Sequence, residues 1–496
     1  MSAPGFEGLG ELGVMLIDGH LVQASDRGTF ATRNPATDEL LGSAVDGTPA
    51  DLHRAIGAAR HAFDADLQGW TTDPALRAHC LRQLRDGLQG HLEELRALTV
   101  AEVGAPVFLT AGAQLEGPVA DLGLAADLAE TYDEWIVDLG EASPMGMRSR
   151  RWVLREPAGV VGAITPWNFP HQITLAKLGP ALAAGCTVVL KPAPDTPWCA
   201  GALARIAAEE TDLPPGVLNV VTSADHHVGA LLSADPRVDL VSFTGSTATG
   251  RRVIGASTET IKRTFLELGG KSAFIVLDDA DIASATALAA FTACTHAGQG
   301  CAITTRLLVP RKLFDEAVDA TATTMRSLAP GDPNDPGTVC GPLISARQRD
   351  RVEGYLRLAI DEGGTFATGG RRPADRPQGF FVEPTLVVGL DNGARTAREE
   401  IFGPVLVVIP HDGDADAVRI ANDSPYGLSG AVHSADRDRA WAVARRVRTG
   451  TMSVNGGVWY GGDVPFGGYK QSGNGREMGR AGFEEYLETK SIAEGL

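Results

Sequence analysis

The segment HAGQGCAITTR, residues 296–306, places a cysteine among small residues. The flanking glycines and Ala302 remove side-chain bulk around Cys301, so a substrate and backbone N–H groups could approach the sulfur closely. A thiolate is the reactive nucleophile, and forming it near neutral pH requires nearby dipoles that lower the thiol pKa from about 8.5. The alternative is a buried structural cysteine, which is how we interpret the neighbouring Cys294.

Two other segments offer groups that such a nucleophile would need. In LELGGKSAF, residues 266–274, burial of Glu267 between leucines would raise its pKa and suit it to act as a general base. In ITPWNFP, residues 164–170, the amide of Asn168 follows an apolar strand pattern and could donate a hydrogen bond to a developing oxyanion. Simpler interpretations are a solvated glutamate at a strand end and an asparagine that ties down its own turn.

The segment VSFTGSTATGRRV, residues 241–253, is a candidate phosphate site. An apolar strand pattern runs into Gly245, and Ser246 or Thr247 could cap a helix that continues through Gly250. The free N–H groups and positive dipole end of such a helix suit a pyrophosphate. The GxxxxG spacing differs from the GxGxxG dinucleotide motif and lacks the Lys-Ser/Thr ending of a P-loop, so a plain helix cap stays open.

Strand and helix patterns that alternate along the chain must position these residues. The first third of the chain favours helices, with apolar residues at helical spacing over 50–65 and 74–104. After Pro157, short apolar strand patterns occur at 159–165, 186–191, 216–222 and 238–245, and helical patterns between them at 173–185 and 199–211. This rhythm predicts a doubly wound parallel sheet with ligands at the carboxyl ends of its strands.

A second α/β series follows and is long enough to form its own domain. Its strand patterns lie at 271–279, 302–310, 384–390, 405–412 and 450–457, with a long helix over 311–328. Two charged, extended segments, 147–157 and the tail 482–496, resemble arms. They could pair between subunits by strand addition, or form an ordinary exposed hairpin.

Composition excludes several classes of function. A chain of 496 residues with 44% hydrophobic content and 21% charged residues is typical of a globular protein of about two to four domains. A net charge of −18 argues against nucleic acid and anionic membranes as partners. No apolar run is long enough to span a bilayer.

The cysteines and the N-terminal residues predict a reducing, cytoplasmic setting. The six cysteines are scattered without CxxC pairs, so neither a disulfide framework nor a zinc knuckle is indicated. The first twenty residues carry no basic segment and contain acids where a signal or transit peptide would avoid them. We expect no metal site, because His226, His227 and His296 have no companion ligands.

Taken together, these segments resemble the aldehyde dehydrogenase superfamily along essentially the full chain. They occur in the family's order: ITPWNFP, KPAP, FTGSTATG, LELGGK, GQGC, EEIFGPV and PFGGYKQSGNGRE. The resemblance implies an aldehyde dehydrogenase-like α/β fold with a Rossmann-like cofactor domain, an α/β catalytic domain and a small β oligomerisation arm. The segments would be 1–131 and 153–266 for cofactor binding, 267–465 for catalysis, and 132–152 with 466–496 for oligomerisation.

The resemblance also implies roles for individual residues. Cys301 would be the nucleophile that adds to an aldehyde, with Asn168 and the Cys301 N–H as the oxyanion site. Glu267 would activate the water that hydrolyses the resulting thioester. Lys177 matches a family lysine placed in proton relay or site support, and a solvated helix lysine is its alternative. The residues implied for the cofactor are Thr165, Trp167, Lys191, Gly245, Ser246, Gly250, Leu268, Glu400 and Phe402.

One departure concerns the choice of cofactor. Many family members have KPxE after the second strand, where the glutamate accepts hydrogen bonds from the adenine ribose of NAD. Here that residue is Pro194. Loss of a carboxylate removes a charge that would repel a 2′-phosphate, so we expect NAD with NADP still open.

The resemblance predicts oxidation of an aldehyde to an acid in a homodimer or homotetramer. The alternatives are a CoA-acylating or semialdehyde dehydrogenase, a non-catalytic NAD-binding relative, and an esterase side activity. The presence of Glu267 favours hydrolysis over transfer to CoA. The expected tunnel residues are His171, Ile173, Thr174, Ala302, Ile303, Trp459 and Tyr460. Because this set is apolar and aromatic and lacks arginine, we predict a medium-chain, terpenoid or aromatic aldehyde in preference to succinic semialdehyde.

Overall fold

Two open, mostly parallel sheets form the framework, and the predicted α/β fold class is confirmed. The structure is a computed structural model that describes residues 6–496, so residues 1–5 of the predicted first cofactor segment lie outside the described residues. The first sheet contains β1 Met15–Ile17, β2 His20–Val22, β7 Val160–Ile164, β8 Thr187–Lys191, β9 Leu218–Val220, β10 Leu240–Thr244, β11 Arg263–Glu267 and β21 Gly473–Asn474.

The order of the first sheet creates a binding crevice. Across the described residues the order is β2-β1-β9-β8-β7-β10-β11-β21, and β9, β8, β7, β10 and β11 run parallel. This is the Rossmann arrangement, since the chain moves outward in one direction from β7 to β9 and then in the other from β10. The topological switch point between β7 and β10 places the ends of β7, β10 and β11, and hence Glu267, at one edge.

The second sheet follows the second predicted series. It contains β12 Ser272–Val276, β13 Thr304–Pro310, β14 Thr365–Thr368, β15 Thr385–Val388, β16 Val405–His411, β18 Gly430–His433 and β19 Ser453–Val454. The order is β14-β15-β16-β13-β12-β18-β19 over the described part of the chain, and only β14 is antiparallel to its neighbour. The strand pattern at 450–457 is shorter in the structure, where Ser453 and Val454 alone pair with β18.

Helices cover both sheets. They are α1 Pro49–Asp64, α2 Pro74–Gly90, α3 Leu92–Val103, α4 Glu116–Thr131, α5 Pro170–Ala184, α6 Pro197–Glu210, α7 His226–Ala234, α8 Thr247–Ser257, α9 Ile282–Cys294, α10 Phe314–Ser327, α11 Ala346–Asp361, α12 Arg395–Arg398, α13 Asp414–Asn422, α14 Arg437–Ala444 and α15 Gly479–Glu484. The helical pattern over 74–104 forms two helices, because the backbone of His91 is not helical (φ −110°, ψ 21°). None of the helices in residues 6–496 is long and apolar enough to cross a bilayer.

The two predicted arms pair with each other within the chain. β6 Ser149–Pro157 is the middle strand of a small antiparallel sheet, between β5 Ile136–Ala142 and β22 Leu487–Gly495. The expected boundary between residues 152 and 153 therefore falls inside β6. The remaining short strands are β3 Thr29–Arg33 with β4 Leu40–Val45, and β17 Tyr426–Gly427 with β20 Tyr469–Lys470.

Candidate active site

Cys301 lies in a loop with an uncommon backbone. After α9 ends at Cys294, three consecutive residues, His296, Ala297 and Gly298, adopt left-handed conformations with φ of 51°, 52° and 70°. For the two non-glycine residues this conformation is unfavourable and persists only where surrounding contacts fix it. The loop turns the chain so that Cys301 stands half-buried between the two sheets.

Buried hydrogen bonds fix this loop. The Gln299 amide donates to the carbonyls of His296 (3.2 Å) and Pro342 (3.1 Å), and its oxygen accepts from the Ile344 N–H (2.9 Å). Asn168 Nδ2 donates to the Gln299 carbonyl at 2.8 Å. An amide nitrogen carries two N–H groups, so Asn168 holds the loop with one and keeps the other for a ligand.

The protein's own groups make the Cys301 thiol a weaker acid. Burial, followed by the carboxylates of Glu267, Glu400 and Glu477, raises its pKa above the usual range, and the Ala302 N–H opposes the shift. The lowered pKa that a reactive thiolate requires is therefore not supplied by the protein chain alone. A positive charge from a bound group would have to favour the thiolate.

Glu267 ends β11 and is 1% exposed, and neither of its carboxylate oxygens has a hydrogen-bond partner among the described groups. Burial, then the nearby Glu477 carboxylate, raises its pKa well above 4.5, while Lys177 and Arg476 oppose the rise. This agrees with the expectation drawn from its leucine neighbours and excludes the solvated alternative. The carboxyl group therefore holds a proton more tightly than an ordinary glutamate.

Lys177 is fully buried, so the solvated-lysine alternative is wrong. Its Nζ donates to Glu477 Oε1 at 2.6 Å and to Ser242 Oγ at 3.0 Å. Tyr486, which precedes β22, donates its hydroxyl to the same serine oxygen at 3.2 Å. A chain of buried polar groups thus runs from the C-terminal segment to the neighbourhood of Glu267.

Two cavities meet at Cys301. The first, about 370 Å³, is lined mostly by residues within 274–304 and 429–478, and the second, about 430 Å³, lies along the ends of the first sheet. Both are lined by Asn168, Ile173, Thr244, Glu267 and Cys301. A molecule in either cavity can therefore reach the sulfur, which is what a transfer between two bound molecules requires.

The larger part of the first cavity is apolar. Its aromatic side chains are Phe169, Phe274, Trp459, Tyr460 and Phe466, with the rings of Trp459 and Phe466 stacked at 5.5 Å. No arginine, lysine or histidine is among the residues of the described chain that line it. Of the expected tunnel residues, His171 and Thr174 do not line it and instead face a separate small cavity beside Cys199.

Six of the residues expected to bind the cofactor line the second cavity: Trp167, Gly245, Ser246, Leu268, Glu400 and Phe402. The Trp167 and Phe402 rings meet edge to face at 5.5 Å. Ser246 caps α8 by accepting a hydrogen bond from the Thr249 N–H at 3.2 Å, so the helix begins at the cavity wall. The wall thus combines a helix N-terminus with flat aromatic surfaces, and these fit a dinucleotide.

Glu400 stands against the Gly269–Gly270 turn. Gly270 donates its N–H to Glu400 Oε1 at 3.0 Å, and a side chain on Gly269 would collide with the carboxylate. Burial raises the pKa of Glu400 to about 7, against the Gly270 N–H and the charges of Arg351 and Lys271. The acceptor is therefore fixed in position for a hydroxyl group.

Thr165, Lys191 and Gly250 do not line this cavity. Thr165 faces the small cavity beside Cys199, and Gly250 packs against the Leu268 side chain. Lys191 lies at the end of β8 with its Nζ bonded to the carbonyls of Pro192 and Ser223, both at 3.0 Å. Burial lowers its pKa to about 8.

Sequence reasoning missed several residues of the site. Glu477 is the last residue of the PFGGYKQSGNGRE segment, so its motif was visible but its contact with Lys177 was not. Gln348 donates to the Phe402 carbonyl at 2.7 Å and Arg351 to the Glu400 carbonyl at 2.5 Å, which fixes the Glu400–Phe402 turn from α11. No group of His, Cys, Asp and Glu side chains in residues 6–496 is arranged to hold a metal ion.

The comparisons with known proteins agree with this geometry. The family model described as the aldehyde dehydrogenase family matches residues 21–492. The chain is 43% identical to 3-succinoylsemialdehyde-pyridine dehydrogenase of a Pseudomonas species, over 96% of this chain and 97% of that protein. It is 42% identical to geranial dehydrogenase of Castellaniella defragrans, over 92% and 94%.

A solved structure extends the similarity to three dimensions. Betaine aldehyde dehydrogenase from Staphylococcus aureus, in complex with NAD+, superposes with a TM-score of 0.94 at 35% identity, covering 99% of this chain and 96% of that one.

Proposed function

The chain belongs to the aldehyde dehydrogenase family, and from that membership we propose that it oxidises an apolar aldehyde to the carboxylic acid with NAD+ through a thioester on Cys301. The observation that carries the proposal is the meeting of two cavities at Cys301, Asn168 and Glu267. One cavity presents an apolar path for the aldehyde. The other presents a helix N-terminus, a fixed carboxylate and aromatic walls for the dinucleotide.

Cys301 and Asn168 act in the first step. The sulfur forms a bond to the aldehyde carbon, the carbonyl π bond breaks, and the oxygen takes the negative charge. The free N–H of Asn168 Nδ2 and the Cys301 backbone N–H stabilise this oxyanion. Because Asn168 is held by Gln299, its donor needs little reorganisation as the charge develops.

The second cavity fits the cofactor that the family uses. Ser246 and the start of α8 would hold the pyrophosphate, Glu400 a ribose, and Trp167 with Phe402 the nicotinamide side of the cavity. When bound, NAD+ supplies the acceptor for the hydride that the tetrahedral carbon loses. Its positive ring also offsets the carboxylates that raise the pKa of the Cys301 thiol.

Glu267 acts in the second step. Its carboxylate takes a proton from water, the water oxygen forms a bond to the thioester carbon, and the C–S bond breaks to release the acid and the Cys301 sulfur. Lys177 and Glu477 lie beside it and set how readily that carboxylate is ionised.

The wall of the first cavity supports an apolar substrate. Five aromatic rings and several aliphatic side chains line the first cavity. Among the described residues that line it, the only ionisable acids or bases of the Asp, Glu, Lys, Arg and His types are Glu267 and Glu477. Burying a substrate carboxylate there would leave it unpaired beside like charges, which is costly. Aromatic, terpenoid and medium-chain aldehydes instead gain from the buried area.

The test measures formation of the reduced cofactor by absorbance across geranial, aromatic, medium-chain and carboxylated aldehydes. We expect kcat/KM for the apolar aldehydes to exceed that for succinic semialdehyde by at least about tenfold, since an unpaired buried carboxylate costs more than 1.4 kcal/mol. Cys301→Ala should remove the activity, and Cys294→Ala, a buried cysteine outside the site, should retain it. Wild-type turnover by Cys301→Ala, or equal kcat/KM for succinic semialdehyde, would contradict the proposal.

A further inference from the structure

The main-chain carbonyl of Asn168 is held by two buried side chains. Gln114 donates to it from Nε2 at 2.9 Å, and Nε2 of His296 lies 3.0 Å from the same oxygen. Both of these residues are 0% exposed. The N-cap of α5 is the next residue, Phe169, whose carbonyl accepts from the Ile173 N–H, so the carbonyl of Asn168 is available for side chains. A carbonyl oxygen has two lone pairs, and these two hydrogen bonds use both of them.

The turn that carries Asn168 is joined to the loop of Cys301 in both directions. His296 donates to the Asn168 carbonyl, and Asn168 Nδ2 donates to the Gln299 carbonyl at 2.8 Å. The two loop residues are connected as well, since the Gln299 N–H donates to the His296 carbonyl at 3.1 Å. Rotation of the Asn168 amide would break its bond to Gln299, and a shift of the main chain would break the bonds to Gln114 and His296. The ring of hydrogen bonds therefore fixes the amide relative to Cys301.

His296 reaches this carbonyl at a conformational cost. Its φ of 51° is unfavourable for a histidine, and its ring lies edge to face against Phe169, with the centroids 5.3 Å apart. Because a carbonyl oxygen only accepts, Nε2 carries the ring proton, and Nδ1 has no hydrogen-bond partner among the described groups. Burial lowers the pKa of the ring to about 4, against the bond to Asn168, so the ring is neutral near pH 7. A strained backbone and an unpaired buried nitrogen both oppose folding, so stability alone does not explain this histidine.

Gln114 shows the same balance. It precedes α4 and so reaches Asn168 from a third segment of the chain. Its own N–H donates to the Leu109 carbonyl at 3.0 Å, which ties down the residue from which the side chain extends. Its Oε1 is buried and has no partner among the described groups. Gln114 and His296 therefore each bond the Asn168 carbonyl with one polar atom and leave the other polar atom of the side chain unpaired.

We propose that Gln114 and His296 are positioning residues, which act through Asn168 and fix its amide where the oxyanion forms. The inference rests on the proposed function, since it assumes that an aldehyde adds to Cys301. A donor that is already in place needs no reorganisation when charge develops on the aldehyde oxygen, and loss of such a donor lowers the rate by about 10²–10³-fold. A displaced donor retains part of this stabilisation. Removal of either hydrogen bond to the carbonyl should therefore cost less than removal of Asn168.

The test is the rate constant for formation of the reduced cofactor in a single turnover, with the full-length protein, saturating NAD+ and the aldehyde that it oxidises best. His296→Phe keeps a ring without a donor, and Gln114→Leu removes the second donor. Each should lower the rate constant by about tenfold or more and leave the dissociation constant of NAD+ unchanged. His296→Gln should recover most of the rate, because a glutamine amide nitrogen lies about as far from the main chain as Nε2 of histidine.

A double variant shows whether the effect passes through Asn168. Asn168→Ala removes the amide, so His296→Phe combined with it should cause no further loss in the rate constant. Losses that multiply in the double variant would overturn the proposal, because His296 would then act on the reaction by another route.

Alkylation of Cys301 by iodoacetamide separates positioning of Asn168 from a general disturbance of the loop. The sulfur displaces iodide without forming an oxyanion, and the other five cysteines are buried. The alkylation rate should therefore be unchanged in His296→Phe and Gln114→Leu. A fall in alkylation that parallels the fall in turnover would overturn the proposal.

The matched control is His411→Phe on β16. His411 is also buried, at 2% exposed, and its Nε2 lies 2.9 Å from the Val276 carbonyl, but it lines neither cavity. Its single-turnover and alkylation rates should equal those of the wild-type protein.

The outcomes separate this inference from the function on which it rests. A wild-type protein that reduces no cofactor with any aldehyde would overturn the proposed function. Wild-type rate constants in folded His296→Phe and Gln114→Leu, or no recovery in His296→Gln, would overturn the positioning role alone. A thermal unfolding curve for each variant identifies any loss of folding, and Gln114→Leu carries the same test if His296→Phe does not fold.

Discussion

At the scale of single residues, the site contains more buried acids than buried bases. Glu267 and Glu477 both lie near Lys177, whose Nζ is 2.6 Å from Glu477 and whose side chain is fully buried. Two carboxylates near one ammonium cannot both be ionised as easily as an isolated one. Glu267, whose pKa is raised and whose oxygens have no hydrogen-bond partner among the described groups, therefore binds a proton more tightly than an ordinary glutamate.

Replacing Glu477 should move the working pH of the base. Glu267 takes a proton from water only when it is ionised, so hydrolysis of the thioester falls as pH drops through its pKa. Glu477→Gln removes a carboxylate that raises this pKa and keeps the opposing charge of Lys177. The acid limb of thioester hydrolysis should shift to lower pH by roughly one unit, measured in single-turnover experiments across pH.

Glu484→Gln is the matched control, because Glu484 lies in the same C-terminal segment and bonds Tyr132 and Arg480 away from the site. Its profile should coincide with that of the wild-type protein. An acid limb that moves to higher pH in Glu477→Gln would show that Glu477 does not raise the pKa of Glu267.

The sequence predicts the chemistry of these residues better than their contacts. The leucines beside Glu267 indicated that its carboxyl group could be buried, because they are its immediate neighbours in the chain. The hydrogen-bond partner of Lys177 is Glu477, 300 residues away in the sequence, and no local pattern predicts a contact between residues so far apart. The local sequence likewise does not show what raises the pKa of the Cys301 thiol, since burial and then three carboxylates distant in sequence raise it.

At the scale of elements, the loop of Cys301 is fixed by its contact with the turn that carries Phe402. Gly298 adopts φ of 70°, and a Cβ on it would collide with the carbonyl oxygen of Gly403. The loop of Cys301 therefore packs against the turn that carries Phe402 through backbone atoms. Side-chain movement cannot relieve a collision at this contact.

Gly298→Ala should lower the unfolding free energy by about 2 to 4 kcal/mol, from strain at positive φ and the backbone collision. It should also lower kcat/KM, because the displaced loop moves Cys301. The control is Gly255→Ala in α8, where a Cβ meets nothing within 4 Å and alanine should stabilise the helix by roughly 0.5–1 kcal/mol. Thermal and denaturant unfolding measure the unfolding free energy of both variants. Equal stability of Gly298→Ala and Gly255→Ala would contradict the close contact between Gly298 and Gly403.

Strand patterns were predicted well because a fully buried parallel strand reads as a continuous apolar run, as in β7, β8 and β10. The apolar spacing over 74–104 did not predict that this segment forms two helices. His91 interrupts the helical backbone without changing that spacing. The loop at 295–300 could not be predicted at all, since its left-handed residues include His296 and Ala297, which carry no local signal for that conformation.

At the scale of the whole molecule, the arm sheet remains open at both edges. The sequence left open whether the arms pair between subunits or form a hairpin, and the structure pairs 147–157 with the tail inside one chain. β5 and β22 are its outer strands in the described chain. Exposed apolar side chains concentrate on this region: Ile136, Leu139, Met145, Met147, Ile492 and Leu496.

These two features predict a homodimer or homotetramer that forms through the arm. An open strand edge with exposed apolar side chains lowers its free energy by pairing with another chain. Ile136 and Leu139 on β5 are 65% and 52% exposed, so charging them should not disturb the fold of one chain. The double variant Ile136→Asp with Leu139→Asp should therefore shift the protein toward the monomer in size-exclusion chromatography with light scattering. The protein concentration at which half of the oligomer dissociates should rise in this variant.

Leu40→Asp on β4, at an equally exposed site (60%) outside the arm, should keep the oligomer. A wild-type protein that is monomeric at micromolar concentration, or a double variant that keeps the full oligomer, would show that the arm edge does not join the subunits.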